Sequence, residues 1–73
     1  MTMAEIRKWR GVPARRGMHV LDRHTNRIGV ITGTASGYLR IRLQGNNFSL
    51  CYHPTWKLDY LTKDGYVLFE SPN

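Results

Sequence analysis

From Gly17 onward, apolar and polar side chains trade places with a period of two, the pattern of half-buried β-strands. Residues 18–23 predict a first strand, and residues 27–32, rich in β-branched side chains, predict a second. Residues 38–43 alternate without a fault: Leu39, Ile41 and Leu43 point one way, and Tyr38, Arg40 and Arg42 the other. Residues 48–52 predict a fourth strand with Phe48, Leu50 and Tyr52 on one face. Residues 57–61 predict a fifth, and residues 66–69 add an edge strand or lie across the others. Turn residues fall between these runs: Thr25-Asn26, Ala35-Ser36-Gly37, Gly45-Asn46-Asn47 and Lys63-Asp64-Gly65. Pro54 interrupts the pattern, because it lacks a ladder donor and biases His53 toward an extended conformation.

Short strands at intervals of about ten residues, joined by tight turns, predict a small all-β sandwich or barrel. The spacing matches an SH3-like barrel of about five strands, with one helical turn at residues 53–56 before the fifth. The alternation assigns Val20, Ile28, Val30, Leu39, Ile41, Leu43, Leu50 and Leu58 to the core. Trp56 and Tyr60 alternate with Leu58 and are expected inside with it.

The N-terminal stretch differs. Residues 1–16 predict a basic arm, and residues 17–73 the barrel domain. Gly11 and Pro13 argue against one continuous helix in the arm. Thr2 three residues before Glu5 is a capping-box pattern and predicts a short capped turn.

With 73 residues, the chain has room for one domain with a thin core. Eight aromatics and 41% apolar residues are too many for a disordered tail. The apolar runs are far shorter than the roughly 20 residues a membrane span needs, so no membrane contact is expected. No apolar stretch follows the charges of the N-terminus, which does not read as a secretory signal. A single cysteine, Cys51, cannot close an internal disulfide and is expected as a free thiol in a cytoplasmic protein.

Charge narrows the picture further. The formal net charge is +6, and it is unevenly placed. Residues 1–42 hold nine Lys and Arg against Glu5 and Asp22; residues 43–73 hold Lys57 and Lys63 against Asp59, Asp64 and Glu70. A positive excess confined to one part of the chain predicts a polyanionic partner.

The residues Gly17-Met18-His19-Val20, followed by Arg27-Ile28-Gly29-Val30-Ile31-Thr32-Gly33, resemble the Gly-x-x-Val and Gly-x-Val signature of KOW-type SH3-like domains. Those domains occur in ribosomal proteins and transcription elongation factors, so the resemblance implies a small barrel with a nucleic-acid role. Asp22 and His24-Thr25-Asn26 depart from it, standing where the KOW loop is usually basic and contains glycine. Residues 38–43 and 53–61 also look like small uncharacterised phage and prophage proteins.

The chemistry with most residues behind it is nucleic-acid binding. Arg7, Lys8, Arg10, Arg15 and Arg16 can neutralise phosphates, and Trp9 can stack on an unpaired base. Arg40 and Arg42, two apart beside Tyr38, make a strand face suited to the same partner. The competing expectation is a solvated tail beside an ordinary polar strand face, in a module that docks on a protein partner. The sequence leaves the oligomeric state open. His19, His24 and His53 match no zinc spacing, and no phosphate loop is present, so neither metal nor cofactor is expected. Cys51, His53 and Asp59 are the residue types of a cysteine nucleophile set, but nothing supplies an oxyanion hole or pocket, and no enzyme is expected.

Overall fold

A computed structural model describes residues 2–72; Met1 and Asn73, the outer ends of the two predicted segments, lie outside them. The N-terminal residues form a helix, α1 (Met3–Arg10). Thr2 caps it: its hydroxyl accepts from the Glu5 amide at 3.2 Å, and its amide donates to the Glu5 carboxylate at 2.8 Å. The predicted capping box is thus present, and it starts an eight-residue helix rather than a single turn. Gly11 ends it in the left-handed region at φ 65°, where a Cβ would be strained.

Six strands follow: β1 (His19–Asp22), β2 (Arg27–Ala35), β3 (Tyr38–Leu43), β4 (Leu50–Tyr52), β5 (Leu58–Leu61) and β6 (Val67–Glu70). All pair antiparallel in one sheet, ordered β4-β3-β2-β1-β5-β6. Ser36 and Gly37, at φ 49° and 87°, make the tight β2–β3 hairpin turn, whose twist suits the flanking strands. At residues 53–56 the chain turns once, with the Trp56 amide donating to the His53 carbonyl at 3.2 Å.

The all-β class stands, but the sheet is not a closed barrel of five strands. The chain continues past β5 into β6, so β4 and β6 remain as two free edges. The sheet nonetheless curls hard. β4 lies three strands from β1, about 14 Å in a flat sheet, yet the Tyr52 hydroxyl donates to Asp22 Oδ2 at 2.8 Å.

The core gathers Val20, Ile31, Leu39, Ile41, Leu43, Leu58 and Tyr60 inside this curl, with Ile6, Val12 and Ala14 from the N-terminal segment. Residues 6–14 therefore supply packing as well as charge. The Arg7 guanidinium donates to the Ala14 carbonyl at 2.9 Å and holds the return of the chain against α1.

Four core expectations fail. In β2 the inward positions are Gly29 and Ile31, so Ile28 is exposed and Val30 half-buried. The reason is space. A Cβ on Gly29 would stand 2.8 Å from Ile41 Cγ2 and 2.9 Å from the Arg42 carbonyl oxygen, so β2 can press against β3 there only without a side chain. Leu50 is exposed because β4 is a three-residue edge strand with little packed over it. Trp56 is exposed because Lys57 takes φ 48°, which breaks the alternation ahead of β5. The Trp56 ring lies instead on the surface, tilted against His24 at 5.7 Å between centroids.

Candidate nucleic-acid interface

The outer face of the sheet is fixed by register. Residues directly opposite across an antiparallel pair project to the same side. His19 faces Val30, and Val30 faces Arg42, so these three form one row across β1, β2 and β3. Leu21 faces Ile28 in the next row. On β3 the burial alternates strictly: Leu39, Ile41 and Leu43 are inside, and Tyr38, Arg40 and Arg42 are exposed on the outer face. The strand assignment of Arg40 and Arg42 thus holds.

The β2 bulge ties the N-terminal segment to this face. The pairing slips between Ile31 and Gly33, leaving Thr32 as the extra residue and placing Gly33 opposite Arg40. The position a Gly33 Cβ would take is 3.7 Å from Arg16 Nη2. Arg16 therefore lies over the same face as Arg40, within van der Waals reach of the point where a Gly33 side chain would begin. The Gly17 amide secures this course by donating to the Ile31 carbonyl at 2.8 Å.

One depression lies over the row and another beside it. A cleft of about 330 Å³ has Arg15, Arg16 and His19 on one side and Leu61, Thr62 and Lys63 on the other. A second, of about 280 Å³, runs over Ile28, Val30 and Arg42 to Gln44 and Asn46. His19 lines both, so the two depressions are neighbours on the sheet. The sequence does not single out His19, Lys63 or Ile28 as site residues. The outward parity of His19, one position from buried Val20, is the available signal; Lys63 and Ile28 give none.

The other arm residues do not all line these depressions. Arg7 is committed to the Ala14 carbonyl. Lys8 and Trp9 are exposed on α1, and neither lines either depression. The Arg10 guanidinium carbon sits 3.8 Å from the centre of the Trp9 ring, a cation–π contact that occupies one face of the indole. Tyr38 is exposed at the end of β3, edge-on to His53 at 6.1 Å between centroids. Among the remaining cations, Arg27 is bonded to the Gln44 carbonyl. Arg23 pairs with Asp59 at 3.1 Å and Glu70 at 3.4 Å.

Asp22 and Asp59 serve the fold. Asp22 is buried, which by itself would raise its pKa. The Tyr52 hydroxyl, the His24 amide and Thr25 donate to it and hold it below the usual carboxylate range. The Tyr52 phenol is pushed up to about 12 by its own burial and by the same bond to Asp22. Asp59 moves the other way: burial raises it, Arg23 opposes that, and Glu70 adds to it.

No cysteine nucleophile set is assembled. Cys51 is an exposed free thiol on β4, His53 Nδ1 accepts from the Thr55 amide at 3.2 Å, and Asp59 is taken by Arg23. Among the described residues, no three His, Cys, Asp or Glu side chains gather as a metal site, and no helix is long and apolar enough to cross a membrane. No protein family, curated protein or solved structure matches the chain.

Proposed function

We propose that the chain is a nucleic-acid-binding accessory module built on an SH3-like, open and curled sheet. The strand order supports the fold reading: β1 to β4 meander, and β5 returns to pair on the free side of β1, as in a small barrel. One observation carries the functional reading. Arg16, from the N-terminal segment, lies over Gly33, whose partner across the β2–β3 pair is Arg40, so this cation of the arm shares a face with the cations of β3. Cations on one face neutralise successive phosphates and release their counterions. Retention on heparin and on immobilised DNA tests this. Wild type is expected to hold at low salt and elute at high salt, and the Arg15→Ala/Arg16→Ala double variant to elute earlier from both. Equal, negligible retention of the two proteins removes the reading.

A second reading has its own observation. Tyr66, Val67 and Leu68 are exposed along the β6 edge, and an uncovered apolar edge strand is a template for another chain. This favours a protein-docking module without nucleic-acid contact. Pull-down from lysate separates the two: a partner that survives nuclease and moderate salt supports docking, and one released by nuclease supports the basic face.

A further inference from the structure

The same outer face carries apolar groups as well as cations, and these bear on which form of nucleic acid would fit. Ile28 is 42% exposed in the body of the sheet, not at its edge, and half-buried Val30 lies in the adjoining row. Both line one depression together with Arg42 and Asn46, and His19 borders it and the neighbouring cleft that Arg16 lines. Phosphates gain nothing from an apolar floor. Base faces do, because each brings apolar area out of water. A duplex keeps its base faces stacked inside and offers a platform only its charged backbone and groove edges. Reading a major groove also takes a projecting helix or ribbon. The one helix among the described residues, α1, is anchored by fully buried Ile6. Gln44 and Asn46, whose amides donate and accept, line the same depression, within reach of the edge of an unpaired base.

We infer that the ligand of this face is an unpaired nucleic-acid strand. Its backbone follows Arg16, Arg40 and Arg42, and its bases lie over Ile28 and Val30. The inference rests on the nucleic-acid reading above and adds the strandedness and the base platform.

Fluorescence anisotropy tests it with the whole chain and a labelled single strand of about ten nucleotides, within the range such platforms cover, against the duplex of the same sequence. The single strand should bind at least about tenfold tighter at low salt. Ile28→Ser should weaken the single strand about fivefold to tenfold, in line with the apolar area removed, and leave duplex affinity unchanged; Ile28→Leu should restore it. Amide shifts of the wild-type chain on adding the strand, expected at residues 28–30 and 42–46, give the same information without a variant. Equal affinity for strand and duplex overturns the inference and leaves the cationic reading standing. So does a single-strand preference untouched by Ile28→Ser and without shifts at residues 28–30. Binding to neither probe at low salt overturns both this inference and the nucleic-acid reading it rests on.

Discussion

Asp22 shows how one buried carboxylate fixes a local geometry. It sits at the end of β1 and accepts from the His24 amide at 2.9 Å, from Thr25 Oγ1 at 3.1 Å and from the Tyr52 hydroxyl at 2.8 Å. The first two set the β1–β2 turn, and the third draws the far edge of the sheet inward. Tyr52→Phe should cost about 1.5–3 kcal/mol in chemical denaturation, because the bond it removes is to a charged group. The pH dependence follows from the direction of the shift. A carboxyl held below its ordinary value stabilises the fold fully above about pH 4, and that contribution is lost as pH falls through the depressed folded value. Asp59, held above its ordinary value, works in the opposite sense: its ionisation penalises the fold, and acid relieves that penalty. Acid unfolding of Asp22→Asn should therefore be shallower than that of wild type at the low-pH end. Two glycines on β2 make a second contrast. Gly29→Ala meets Ile41 and the Arg42 backbone within 3 Å and should cost about 1–3 kcal/mol, as overpacking does. Gly33→Ala meets only Arg16 Nη2 at 3.7 Å, an ordinary contact, and should leave the melting temperature nearly unchanged.

At the scale of elements, α1 belongs to the core rather than to a tail. Ile6 is fully buried among strand residues, so Ile6→Ala should cost about 2–5 kcal/mol in the same denaturation measurement, as much as a core strand position. The sequence conceals this, because one apolar residue among Glu5, Arg7 and Lys8 gives a helix hardly any face to read. The capping box, by contrast, is legible, since it needs only two residue types at a fixed spacing. Strands are legible wherever polar and apolar residues alternate cleanly: Tyr38–Leu43 has the bounds its pattern predicts. Parity fails in β2 because Ile28, Val30 and Ile31 supply apolar residues to both faces, and the deciding factor is the close approach of Gly29 to β3. The same ambiguity hides Ile28 as a surface residue. Arg40 and Arg42 follow from alternation alone, but the bulge that brings Arg16 beside them is a tertiary feature with no local signal.

Over the whole molecule, the charge is sorted by use. Arg23 forms ion pairs with Asp59 and Glu70. Arg7 and Arg27 bond to backbone carbonyls. Arg15, Arg16 and Lys63 line the cleft beside the sheet, while Arg40 and Arg42 project from its outer face. The body measures 27 × 24 × 22 Å, and a single strand of about ten nucleotides, with phosphates about 3.4 Å or more apart, is long enough to reach these cations in turn. Lys8, exposed on α1, belongs neither to the cleft nor to the outer face of the sheet. The salt dependence of binding to a labelled single strand reads this arrangement directly. Arg16→Ala and Arg40→Ala should each weaken binding and shallow the plot of log affinity against log salt by about 0.7, the value for one phosphate of a single strand left without its cation. The Arg16→Ala/Arg40→Ala double variant should shallow it by about twice that, and Lys8→Ala should leave it unchanged. Slopes that stay at the wild-type value in both single variants would contradict a shared basic face.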